Sequence, residues 1–88
     1  MPTPTSAPTV ASIETAVRSV TAEALNLPDV APEDNLLELG VDSLVATWIL
    51  AELRTRLLVE IPLIDVFESV NVRAFAEHIS DLIAEVEH

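Results

Sequence analysis

The chain has 88 residues, with 15 acidic side chains against four arginines and no lysine, for a net charge of −11. That balance argues against a nucleic-acid binder, whose phosphate contacts need Lys and Arg, and disfavours docking on an anionic membrane. Half of the residues are hydrophobic and Gly40 is the only glycine, so one small core can form and helices are favoured over a turn-rich all-β fold.

There is no cysteine, so neither disulfides nor a thiolate zinc site hold the fold, and a reducing, cytoplasmic setting is compatible. The acidity suits basic partner surfaces and also simply favours solubility. No apolar run is long enough to span a bilayer. Residues 1–9, rich in Pro and Thr, lack the basic start and apolar stretch of a signal peptide. They read as a flexible leader or linker ahead of one domain covering residues 10–88.

The first helix is expected from about Val10 to Leu27. Val10, Ile13, Val17, Val20, Ala24 and Leu27 recur at helical spacing, Thr9 or Ser12 caps the start, and Pro28 stops the helix. Residues 28–42 read as a long, ordered connection. Pro28-Asp29 and Pro32-Glu33-Asp34-Asn35 supply its turns, and Leu36, Leu37 and Leu39 tuck it against the helices.

The second helix is expected from about Ser43 to Leu58. Ala46, Ile49, Leu50, Leu53 and Leu57 form one apolar stripe, the core face. Leu44, Trp48 and Ala51 form another stripe on nearly the opposite side. A helix in a small bundle needs one buried face, so the second is either a partner surface or lies beneath the long loop.

Pro62 breaks the chain, and Ile64 to Glu68 make one short helical turn. Asn71 caps a last helix carrying Val72, Phe75, Ile79, Leu82 or Ile83, and Val86. Phe67 and Phe75 are expected in the core. The fold class is therefore all-α: a four-helix bundle of three long helices and one short one.

The chemistry centres on Leu39-Gly40-Val41-Asp42-Ser43-Leu44. Here a glycine turn and an aspartate set one hydroxyl at a helix N-terminus, where the dipole favours a phosphate. Ser43 is either a plain N-cap, a job Asp42 can also take, or a site of phosphodiester attachment. Rival chemistries lack parts. A serine hydrolase needs a base, yet His88 is the terminal residue and His78 reads as an ordinary surface histidine. The carboxylates lack the order of a calcium loop, and Asp81, Glu85 and Glu87 read as a solvated helix face. No catalytic or metal-binding set is expected. An unmodified helical adaptor, which would tolerate Ser43→Ala, stays open as an alternative.

The stretch from Leu36 to Leu44, at the start of the second helix of a small acidic domain, resembles the acyl and peptidyl carrier proteins. The resemblance extends over roughly Val10 to Glu85. It implies a covalent 4′-phosphopantetheine, taken from coenzyme A onto Ser43, with Asp42 read by the phosphopantetheinyl transferase and Leu44 beside the site. The sulfur of such a carrier comes with the cofactor. Implied partners are that transferase, an acyltransferase or adenylating enzyme, and condensing enzymes of the ketosynthase type; the carrier itself is a monomer and catalyses nothing.

Two branches compete. Leu39 to Leu44 is similar to polyketide synthase carriers, with Val41 and Asp42 where peptidyl carriers typically have glycine and often histidine. Ser43-Leu44-Val45-Ala46-Thr47, Leu53-Arg54, Val59 to Leu63 and Phe67-Glu68 are similar to carriers of nonribosomal peptide synthesis. Fatty-acid carriers usually place acidic residues along the second helix, where Trp48 stands here. The expected cargo is acyl, with aminoacyl or peptidyl as the alternative. Leu44, Thr47, Trp48 and Ala51, flanked by Thr55, are the expected partner surface, with Arg54 and Arg56 adding positive charge. Val66 is either core or a contact for the arm. Val70-Asn71 replaces a Pro-Thr common in the family, which is expected to loosen the turn before the last helix.

Overall fold

The structure, a computed structural model, describes residues 8–86. Most of the predicted leader, together with Glu87 and His88, lies outside the described residues. Five helices follow in order: α1 (Val10–Leu25), α2 (Leu36–Leu39), α3 (Ser43–Leu57), α4 (Leu63–Glu68) and α5 (Val72–Val86), with no strand among the described residues. The three long helices form the bundle. α1 packs on both α3 and α5, and the short α4 closes against α3.

Thr9, rather than Ser12, caps α1, its Oγ1 accepting from the Ser12 N–H at 3.1 Å. The helix ends two residues earlier than its apolar spacing suggests. Asn26 takes the left-handed conformation (φ 57°), and the Leu27 N–H turns back to the Ala22 carbonyl at 2.8 Å. That ending consumes the terminal carbonyls before Pro28 is reached, so Asn26 is the stop signal.

The connection to α3 holds the one helix missed by apolar spacing. Asn35 caps α2 through the Glu38 N–H at 3.0 Å, and Gly40 ends it at φ 110°. The bundle thus has two short helices where one was expected. Leu36 is buried and Leu39 half-buried, as expected of residues that pin the loop, whereas Leu37 is 44% exposed and faces outward.

The core takes Ile13, Val17 and Val20 from α1, Ala46, Ile49 and Leu53 from α3, and Val72, Phe75, Ala76, Ile79 and Ile83 from α5. Val30, Leu36, Val41, Val59 and Val66 seal it from the connections and α4. Leu50, Leu57 and Phe67 are only partly buried against that centre, so Phe67 is an edge residue and Phe75 the interior plug. Thr21 is also fully buried, and its hydroxyl has no protein partner among the described residues.

The long loop is laced to the start of α5. The Val72 N–H donates to the Asp34 carbonyl (2.9 Å) and the Arg73 N–H to the Pro32 carbonyl (3.0 Å). Asn71 Oδ1 accepts from the Ala74 N–H at 2.8 Å, and Asn35 Nδ2 donates to the Val70 carbonyl at 2.8 Å. The turn at Val70-Asn71, where the sequence lacks proline, is held by these bonds. These bonds satisfy the first N–H groups of α5 that a helix start leaves open. At the other end of the loop, Arg18 donates through Nε to the Val30 carbonyl and pairs with Asp29 at 3.3 Å. The loop that delivers Ser43 is fixed at both ends.

Candidate functional site

Gly40 sets the direction of the chain into α3. Its N–H bonds to the Leu37 carbonyl and the Val41 N–H to the Leu36 carbonyl, both at 3.1 Å. A φ of 110° is accessible to glycine and strained for any side chain, although open space surrounds the position. Val41 then turns inward and is buried, anchoring the strand of loop immediately before the site.

Asp42 is the N-cap of α3, its Oδ1 accepting from the Val45 N–H at 2.9 Å, while its carbonyl takes the Ala46 N–H at 2.8 Å. Of the two capping options left open by the sequence, aspartate is the one used. That releases Ser43. It occupies the first helical position, is exposed, and its hydroxyl has no protein partner among the described residues. The Ser43 and Leu44 N–H groups likewise meet no acceptor there. The α5 start is filled with loop carbonyls; the α3 start is left open.

Leu44, Thr47, Trp48 and Ala51 are brought together as expected, on the outer face of α3. Leu44 is 79% exposed and Trp48 44%, so the loop does not cover the stripe. Thr47 spends its hydroxyl on the Ser43 carbonyl at 2.8 Å, leaving its methyl for the surface. Leu44, Val45 and Trp48 line an open groove of roughly 360 Å³ with Ala24 and Glu23 of α1. Arg54 and Arg56 do not stand free beside this face: Arg54 pairs with Glu60 at 3.3 Å and Arg56 with Glu23 at 3.7 Å. Val66 is 1% exposed, which places it in the core.

His78 lies at the surface as expected, its side chain 42% exposed, but it has a partner that the sequence did not reveal. Its Nε2 lies 2.6 Å from Asp65 Oδ2 and so ties α5 to α4. Sequence reasoning missed this pair because 13 residues and a turn separate its members. It missed α2 despite a usable signal, an Asn-x-x-Glu start followed by glycine. Among the described residues, no group of three His, Cys, Asp or Glu side chains is placed to hold a metal ion.

The surroundings of Ser43 fit a phosphodiester: an accessible, unpartnered hydroxyl, two open N–H groups and the positive end of a 15-residue helix. The sequence matches the family model of the phosphopantetheine attachment site over residues 15–79, well over half of the chain. The chain belongs to this carrier family. Its cofactor is a covalently attached 4′-phosphopantetheine, and it is a non-catalytic carrier of acyl or peptidyl intermediates for synthases of polyketide and nonribosomal-peptide type.

The carrier fold recurs in solved structures. BlmI, a type-II acyl carrier protein from Streptomyces verticillus involved in bleomycin biosynthesis, is similar at a TM-score of 0.79 and 20% identity, over 84% of this chain and 89% of that one. A nonribosomal PCP domain is similar at a TM-score of 0.66 and 29% identity, over 82% of this chain and 90% of that one. Compared with curated proteins, the sequence has no significant match. As a carrier, the chain works with a phosphopantetheinyl transferase and synthase enzymes, and no helix among its described residues is long and apolar enough to cross a membrane.

Proposed function

We propose that Ser43 is the attachment residue and that the chain is an acyl carrier of a polyketide or mixed polyketide–peptide pathway, working in the cytoplasm. The observation that carries the assignment is the division of labour at the start of α3, where Asp42 caps the helix and leaves the Ser43 hydroxyl unengaged. Serine stands at the first helical position, next in sequence to the open N–H groups, and its hydroxyl makes no bond to the backbone of the described residues. The bound arm supplies a terminal thiol on which acyl groups ride as thioesters.

The chain's own residues do the rest. In the active site of the transferase, Ser43 Oγ would lose its proton and attack the pantetheine-side phosphorus of coenzyme A, forming the phosphodiester as the pyrophosphate bond breaks and adenosine 3′,5′-bisphosphate leaves. The Ser43 and Leu44 N–H groups and the helix dipole stabilise the resulting phosphodiester charge. Gly40 and Val41 fix the angle at which the hydroxyl is offered. Asp42 puts a carboxylate at the entrance, a mark for the transferase rather than a ligand for the phosphate.

Leu44, Thr47, Trp48 and Ala51 form the docking face for the transferase, the loading acyltransferase and the condensing enzymes. A large aromatic at the centre of a small-residue patch is the pattern of an interface anchor. The acyl assignment is supported by Val41-Asp42 before the serine; peptidyl loading by an adenylating enzyme is the alternative.

Labelling with a fluorescent coenzyme A analogue and a broad-specificity transferase tests the assignment. The parent should label and Ser43→Ala should not, with unchanged helical content. Equal labelling of both would overturn it. Loading assays then separate the cargo classes: transfer from an acyl-coenzyme A by an acyltransferase supports the acyl reading, and exclusive aminoacylation overturns it.

A further inference from the structure

Asn35 does two jobs with one side chain. Its Oδ1 accepts from the Glu38 N–H at 3.0 Å and caps α2. Its Nδ2 donates to the Val70 carbonyl at 2.8 Å, in the turn between α4 and α5. We infer that Asn35 is a positioning residue for attachment, holding the helix start that carries Ser43 in register with the α4–α5 turn; the inference rests on Ser43 as the attachment residue.

The chemistry of the side chain is specific. Thr9, Asp42 and Asn71 each spend a capping oxygen on their own helix, through the N–H groups of Ser12, Val45 and Ala74. Among the side-chain caps of the described residues, only Asn35 also bonds a different element. A carboxamide presents an acceptor and a donor on opposite sides, and a single orientation suits an N–H on one side and a carbonyl on the other. A carboxylate at this position would still cap α2 but would turn a second acceptor on the Val70 carbonyl. A serine would cap as well and has no second arm.

The chain from Asn35 to Ser43 has little slack. The Leu39 N–H bonds to the Asn35 carbonyl, the Gly40 N–H to the Leu37 carbonyl and the Val41 N–H to the Leu36 carbonyl, each at 3.1 Å. Leu36 and Val41 are buried, and Asp42 opens α3 directly afterwards. Residues 35–42 therefore move as one piece, and a tilt at Asn35 is passed on to the Ser43 hydroxyl. Among the described residues, the bond to Val70 is the one hydrogen bond tying this piece to an element beyond α3.

The far anchor is firm. Ser69 Oγ donates to the Asp65 carbonyl at 2.8 Å on one side of Val70, and Asn71 caps α5 on the other. Transfer to Ser43 needs its oxygen aligned with the phosphorus, and a misplacement of about 1 Å can cost about a hundredfold in rate.

Steady-state labelling with a fluorescent coenzyme A analogue and a broad-specificity transferase is compared for the whole parent chain, Asn35→Asp, Asn35→Ser and Thr9→Ala, well below the thermal transition. Both Asn35 variants keep a capping oxygen and lose the donor to Val70. Thr9→Ala removes a cap from α1 and controls for lost stability. The kcat should fall about tenfold in both Asn35 variants, with the KM for the carrier within about twofold, because Leu44 and Trp48 are untouched. The Ser43 and Leu44 amide resonances should shift in both variants. In Thr9→Ala, neither kcat nor these resonances should change.

Parent-like kcat in both Asn35 variants overturns the inference while leaving the attachment intact. A fall in Asn35→Asp alone is an effect of added charge and overturns it. An equal fall in Thr9→Ala, a change confined to KM, or loss of the folded far-UV spectrum in both Asn35 variants makes the role one of general stability or docking, and overturns it too. A parent that takes no label, with the transferase active on a control carrier, overturns the attachment at Ser43 and this inference with it.

Discussion

At the scale of single residues, Asp42 and Ser43 divide capping from exposure. Asp42→Ala should lower stability by about 1 kcal/mol, the usual loss for a helix cap, read as a shift in the urea midpoint. Ser43→Ala should leave that midpoint unchanged, since the hydroxyl holds nothing. Trp48→Ala should keep the helical signal but weaken a docking enzyme by about 2 kcal/mol, roughly thirtyfold in Kd by titration. A collapse of the thermal transition in that variant would instead make Trp48 part of the core. Thr21 predicts a change of the opposite sign: Thr21→Val removes a buried hydroxyl without a partner and should raise stability by about 1 kcal/mol in the same unfolding assay.

The helix start at an exposed Ser43 was legible in the sequence because its neighbours carry the signal: a lone glycine, an aspartate and then an apolar helical period. The two-sided α3 was legible for the same reason, since Leu44 and Trp48 fall opposite Ile49 and Leu53. The identity of the cap was not, because Asp42 and Ser43 are equally good caps on propensity. Only the bond to the Val45 N–H separates them.

At the scale of elements, the connection between α1 and α3 does more than its turn-rich composition suggests. Its apolar residues announced an ordered loop. The short α2 escaped because four residues give no period to read; its caps were the available signal. The pinning of α5 escaped as well, since Asn35 reaches Val70 across 35 residues, a separation local pattern cannot register. Gly40→Ala should cost about 1–2 kcal/mol from the left-handed backbone alone, and should slow labelling of Ser43 beyond any loss of fold. Comparing labelling rates well below the unfolding transition separates these effects. The bond between His78 and Asp65 predicts that His78→Ala increases amide exchange in α4 more than in α1.

At the scale of the whole molecule, the small bundle is an acidic body with an exposed apolar stripe, Leu44 and Trp48, beside the exposed Ser43 hydroxyl. Long-range attraction to basic partner surfaces follows from the net charge of −11. Association rates with such partners should therefore fall as ionic strength rises, while Trp48→Ala acts mainly on dissociation. The overall all-α architecture was readable from composition and period because each long helix carries an unbroken apolar stripe. The groove beside Trp48 was not readable, because Glu23 and Ala24 of α1 line it together with Leu44, Val45 and Trp48 of α3.

The most direct measurement is intact mass, followed by peptide mapping, after incubation with coenzyme A and an active phosphopantetheinyl transferase. The parent should gain a single phosphopantetheine, located on Ser43 and absent from Ser43→Ala. No gain on a folded parent, with the transferase active on a control carrier, or a gain mapped to another residue, would contradict the attachment at Ser43 and reduce the open helix start to a simple capped turn.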